Sequence, residues 1–234
     1  MTDGGSDRRF AGQIALLAGA RLASVASFFG VSVVAARLLP PDAVGSAAAG
    51  QTIGMIAALV GNGGLNIATI YFLQRRPDER ASLVPRLTAL AIVACALAFG
   101  LVLLSAPLVL GPVIDADAWS LLWVAAAMAA AMIGFEFGGA LMLGFGRNGG
   151  YTLMELVRGA GSLAAVGVLL LGPMRSDSGF VIGLAAGYGL AAAIGLVVTD
   201  RSGASILPRF DGGVAREAVG FGIRGQAGNI FTFL

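Results

Sequence analysis

Seven polar residues stand inside stretches that are otherwise apolar: Arg21, Gln51, Asn62, Asn66, Glu136, Glu155 and Arg158. Charges in helices that cross lipid are costly, so where they occur they mark candidate functional positions. The types define the chemistry on offer. An arginine stays charged and grips phosphate or carboxylate oxygens in a fork. The amides can meet sugar hydroxyls, and the two glutamates can pair with an arginine or take part in coupling. The chain has no histidine, which removes the commonest metal ligand and proton shuttle. No nucleophile elbow, Walker loop, zinc spacing or carboxylate pair is present. Gly144-Phe-Gly146 is too poor a match to a phosphate loop to count. The sequence therefore offers no catalytic residue, no metal ligand set and no cofactor motif, and it does not read as an enzyme.

These residues must be positioned by helices. At about 100° per residue, Gln13, Arg21, Ser24 and Ser32 share an arc of about 100° on the first helix. On a second helix, if unbroken, Gln51, Asn62, Asn66 and Thr69 fall within about 60° of one another, and on the fifth Tyr151, Glu155, Arg158 and Ser162 do the same. One polar stripe per helix predicts stripes facing one another across a wet cavity. Each residue also has a plainer reading. Glu155 and Arg158 can form a local i,i+3 ion pair, Arg21 can snorkel, and Glu136 can simply pair with a membrane arginine.

Hydrophobic residues make up 57% of the 234 residues and charged ones 12%, with a mean hydropathy of +0.87. Soluble domains carry roughly 25% charged residues, so lipid must be the solvent for most of this chain. The net charge of +2 is small and its arginines are scattered over short loops, which argues against nucleic acid. Cys95 is the single cysteine and reads as a small core residue. Arg8-Arg9 precedes an apolar run about twice the length of a signal-peptide core and interrupted by Arg21, so a first membrane helix is the better reading.

The expected fold is all-α and polytopic. Helices are placed at 10–36, 43–73, 86–110, 118–143, 151–172 and 179–200, with a seventh opening near Val219. This gives a tail over 1–9, a six-helix lobe over 10–200, a connection over 201–218 and the beginning of a further helix over 219–234. Each full helix meets the roughly 20 residues a bilayer requires. Helix two, at about 46 Å, exceeds the hydrocarbon core of about 30 Å. It must tilt, protrude or break, and Gly61-Asn62-Gly63-Gly64 is the expected break. Helices one and two meet at a polar knuckle, Arg37-Leu-Leu-Pro-Pro-Asp42. Pro40-Pro41 cannot carry a helix through, and Asp42 can cap the next one. Ten arginines fall on one side of the resulting hairpins and two, Arg37 and Arg175, on the other. By the positive-inside rule the N-terminus is cytoplasmic in a cell inner membrane and the knuckle external. Gly179, Gly183 and Gly187, like Gly50 and Gly54, recur every four residues, a spacing that lets helix backbones approach.

Ala36-Arg-Leu-Leu-Pro-Pro-Asp-Ala-Val-Gly45, Gly64-Leu-Asn-Ile-Ala-Thr-Ile-Tyr71 and Phe221-Gly-Ile-Arg-Gly-Gln-Ala-Gly-Asn-Ile-Phe-Thr-Phe-Leu234 resemble motifs of Wzx-type polysaccharide flippases. These belong to the multidrug/oligosaccharidyl-lipid/polysaccharide exporter superfamily. Leu39 stands where that family has glycine, and Val44 where it has an aromatic residue. The resemblance implies two six-helix lobes and alternating access. It also implies a lipid-diphosphate-linked oligosaccharide as substrate, with membrane lipids and glycan-assembly proteins as partners. On that reading the chain is one lobe plus the start of a second, the expectation being a truncated protein, a fragment or an incomplete gene product. A half-transporter that dimerises is the alternative. Arg21 and Arg158 would meet the diphosphate, and Gln51, Asn62 and Asn66 the sugar hydroxyls. Two other readings are a cation-coupled multidrug exporter of the same fold and a non-transporting scaffold subunit. Three arginines within predicted helices, Arg21, Arg158 and Arg224, against two glutamates, Glu136 and Glu155, lean toward an anionic substrate.

Overall fold

The computed structural model of the chain describes residues 4–110, 116–172, 174–201 and 203–232. Among these the architecture is all-α, without a strand. The helices are α1 (Gly4–Leu38), α2 (Pro41–Asn62), α3 (Leu65–Arg75), α4 (Arg80–Leu110), α5 (Ala116–Gly144), α6 (Asn148–Leu171), α7 (Asp177–Asp200) and α8 (Gly212–Thr232), with a 3-10 turn at Pro77–Glu79. Six segments of the described residues are long and apolar enough to cross a membrane, with Pro41–Arg75 counted as one. This is a polytopic membrane protein.

The prolines act as expected: α1 stops at Leu38 and α2 starts at Pro41. Asp42 does not cap α2. Pro40 holds the N-cap position without a side-chain bond, and Asp42 lies in the first turn, where its charge still complements the helix dipole. The long second helix breaks inside the predicted tetrapeptide. Gly63 (φ 51°) and Gly64 (φ 80°) both adopt the left-handed region, which a residue with a Cβ resists. The unbroken helix on which the expected stripe rests is therefore absent, although Asn62 and Asn66 on either side of the break still converge on Glu136. Thr69 is buried, with its hydroxyl unpartnered. α1 starts at Gly4, ahead of residue 10, and α8 starts at Gly212, ahead of Val219, where Asp211 accepts from the backbone N–H of Gly213 at 2.9 Å.

α5 is the central helix and packs against α2, α3, α4, α6 and α7. Its small residues Ala125, Ala126 and Ala129 are fully buried and admit that many neighbours. Glycines set the closest crossings. A Cβ on Gly183 would come within 2.7 Å of Val166 Cα, one on Gly187 within 2.7 Å of Ser162 Cα, and one on Gly54 within 2.9 Å of the Ala125 carbonyl oxygen. The four-residue glycine spacing is therefore a packing device between α6 and α7 and between α2 and α5. Phe29, Leu97, Leu104 and Leu171 point outward, as lipid-facing side chains do.

Two polar straps close the bundle. Arg175 donates to the carbonyl of Leu38 at 2.6 Å and so caps α1 from the α6–α7 turn. At the other end Arg86 pairs with Asp211 at 3.2 Å and Arg76 with Glu217 at 2.7 Å, which ties α8 to α3 and α4.

Candidate functional site: a polar cleft between four helices

A cleft of about 330 Å³ opens between α1, α3, α5 and α6, lined in part by Arg21, Asn66, Glu136, Tyr151, Glu155 and Arg158. Arg21, Glu136 and Arg158 stand well inside their helices, whereas Asn66 and Tyr151 lie in the first turns of α3 and α6. Glu136 is about 12 Å from the end of α5 and Arg158 about 15 Å from the start of α6, at about 1.5 Å per residue, so both lie at similar depth.

Arg158 is the most engaged side chain. Its Nη2 donates to Glu155 Oε2 at 2.7 Å and to Ser24 Oγ at 3.0 Å, and its Nη1 to the Tyr188 hydroxyl at 3.3 Å. Its guanidinium carbon lies 5.0 Å from the ring centroids of Phe28 and Phe135 and 5.4 Å from that of Tyr188, distances at which ring faces attract a cation. Glu155 is 4% exposed and also accepts from the Tyr151 hydroxyl at 3.0 Å. The expected i,i+3 pair thus exists and faces the cleft at once. A buried pair of this kind is tolerated because its remaining donors and acceptors are largely satisfied.

Glu136 is held differently. Asn62 donates its side-chain amide to Glu136 Oε2, and Asn66 does so at 3.5 Å. No cation among the described residues lies within ion-pair distance of it, so its partners are neutral amides and not the membrane arginine considered from sequence. Asn62 itself is buried behind Glu136 and lines a separate apolar pocket of about 170 Å³ between α2, α4 and α8. Glu136 also borders an apolar cavity of about 390 Å³ with Thr52, Met55, Ile56, Ala58, Leu59 and Met132.

Arg21 lines the cleft, is exposed, and makes no hydrogen bond or ion pair with a described residue. Gln51 does not line it. The side-chain amide of Gln51 lies 3.9 Å from Met55 Sδ on its own helix, so the structure separates it from the other predicted residues. Ser32 bonds back to the Phe28 carbonyl at 3.1 Å, and the side chain of Gln13 lies outside the described residues. Arg224, on α8, is exposed and away from the cleft. Phe28 and Tyr188 were not singled out by the sequence. An aromatic residue in an apolar helix reads as core until its ring is seen against a guanidinium.

No protein-family model matches the chain, and no curated protein sequence matches it. A solved structure described as "Crystal structure of MATE in the straight conformation" is similar to it. The TM-score is 0.61 at 20% identity, over 78% of this chain and 43% of that chain. The two share a fold. At that identity the likeness carries no further than the arrangement of helices, and this chain spans less than half the length of the structure it matches.

Proposed function

We propose that the chain is part of a membrane transporter that moves an anion-headed, lipid-linked glycan precursor across the membrane by alternating access. The fold shared with a MATE structure supports a transporter of the exporter type. The observation that carries the substrate class is Arg21: a guanidinium without a partner among the described residues, presented to a polar cleft between helices that are long and apolar enough to cross a membrane. Such a charge is stabilised by an anion, and a diphosphate matches its forked donors. Asn66 and Tyr151 border the same space and offer hydrogen bonds to hydroxyl groups. The lipid tail stays in the bilayer. The inner membrane is the expected location, with the N-terminus cytoplasmic. Membrane lipids and glycan-assembly proteins are the partners this reading proposes.

The test is the inner-leaflet level of lipid-linked oligosaccharide in cells producing Arg21→Ala, with membrane abundance of the protein matched to the unaltered form. Accumulation supports the reading. Normal export by a well-produced Arg21→Ala variant removes Arg21 from the substrate path.

A further inference from the structure

We infer that Arg158 is a positioning residue: it docks α1 on the rest of the lobe so that Arg21 faces the cleft, and it does not itself take the anion. This rests on the proposal that Arg21 meets an anionic group.

Three of the five N–H donors of Arg158 are committed, both of those on Nη2 among them. Nη2 serves Glu155 and Ser24, Nη1 serves Tyr188, and Nε is buried without a partner. Rings cover the guanidinium at 5.0 Å on the Phe28 and Phe135 sides. To fork onto a phosphate, Arg158 would have to release one of its two Nη2 partners: Glu155, a carboxylate only 4% exposed that would be stranded in the helix bundle, or Ser24, through which it holds α1.

The second observation is how α1 is held. It packs almost wholly along α6 and touches α2 only slightly. The α1–α6 contact is backbone-close beside Arg158, since a Cβ on Gly159 would lie 2.8 Å from Ser24 Cα. Arg158 then reaches across this seam to Ser24 and Phe28 of α1, Phe135 of α5 and Tyr188 of α7. One side chain on α6 therefore clasps three other helices.

The third observation is register. Ser24 and Phe28 follow Arg21 by three and seven residues and so share its face of α1. A rotation or slide of α1 that breaks the clasp moves Arg21 with it. The two arginines have separate roles. Arg158, neutralised by Glu155, fixes the helix, and Arg21 is left with its charge free.

The test uses the purified chain in lipid nanodiscs with inorganic pyrophosphate as the probe. Spin labels at positions 22 and 168 report the α1–α6 distance, and labels at 123 and 190 the α5–α7 distance. The double variant Ser24→Ala/Phe28→Ala leaves Arg158 and its charge pair in place. It is expected to weaken pyrophosphate binding at least tenfold, as Arg158→Gln does, and combining all three changes adds no further loss. In both cases the α1–α6 distance changes or broadens while the α5–α7 distance holds, which separates undocking of α1 from general unfolding. The inference is overturned if Arg158→Gln loses binding while Ser24→Ala/Phe28→Ala retains it with α1 in place, since Arg158 would then touch the anion. It is equally overturned if Arg158→Gln leaves the α1–α6 distance unchanged. Undiminished binding by Arg21→Ala, or no binding by the unaltered chain, sinks the anion reading instead, and the spin-label distances then decide the docking role alone.

Discussion

Gly222 of α8 lies against Gly63 of the α2–α3 elbow so closely that a Cβ on Gly222 would sit 2.8 Å from the Gly63 carbonyl oxygen. The stack of Phe221 on Tyr71, with centroids 4.2 Å apart, and the bond from the Gln226 amide to the Leu59 carbonyl at 3.3 Å flank this contact. The elbow carries Asn62 on one side and Asn66 on the other, the two amides that hold Glu136. Gly222→Ala is therefore expected to push α8 off the elbow at a cost of about 1–3 kcal/mol, typical of overpacking. A lengthened distance between spin labels on α8 and α4 is the readout. An unchanged distance would show that the crossing has slack.

Gly187 and Gly189 lie on one helix and differ in surroundings. A Cβ on Gly187 would meet Ser162 Cα at 2.7 Å, whereas one on Gly189 meets nothing within 4 Å. Gly187→Ala should lower the unfolding midpoint in detergent, and Gly189→Ala should leave it unchanged or raise it slightly, because alanine favours helix over glycine by roughly 1 kcal/mol. Equal effects would refute the claim that α6 and α7 are spaced by glycine.

The Glu155–Arg158 pair yields a sign test. Glu155→Gln leaves a guanidinium uncompensated at mid-membrane and should cost about 3–5 kcal/mol, while removing both charges with Glu155→Gln/Arg158→Met should cost less. Denaturation in mixed micelles measures both. If the double variant is the less stable one, the pair is not the compensated unit described above.

Arg21→Lys keeps the charge and loses the fork. It is expected to retain a minor part of the export that Arg21→Ala loses, because a diphosphate in a low-dielectric site prefers two aligned donors to a point charge. Full activity in Arg21→Lys, measured as clearance of lipid-linked oligosaccharide from the inner leaflet, would reduce the requirement to charge alone.

The arginine distribution predicts that a reporter fused after Arg80 behaves as cytoplasmic and one fused near Asp117 as external. Reversed signals from the two fusions would overturn the assigned orientation.

The sequence by itself determined the solvent, the existence of the helices and the breaks at Pro40-Pro41 and Gly63-Gly64, whereas α1, α4 and α8 each begin six or seven residues ahead of the expected start. Apolar runs longer than a bilayer is thick leave no other fold class, Pro40-Pro41 must end a helix, and Gly63-Gly64 can adopt a backbone other residues resist. These are local properties, readable without knowing any neighbour. The i,i+3 spacing of Glu155 and Arg158 is equally local, and the pair forms as that spacing predicts. Tertiary structure alone decided which polar side chains meet across helices. Gln51 and Asn66 are alike as polar residues in an apolar run, yet Asn66 borders the cleft and bonds Glu136 of α5, whereas Gln51 stays against Met55 of its own helix and does not line the cleft. Arg21 and Arg158 are both candidates from sequence, Arg21 the first, and the packing of α1 on α6 brings Ser24 and Phe28 to Arg158 and leaves Arg21 without a partner among the described residues. Helical phase is set by neighbours along the chain, whereas the partner of a guanidinium is set by which helices cross at its depth, and that follows from small residues on α5, α6 and α7 whose periodicity does not name the helix they admit.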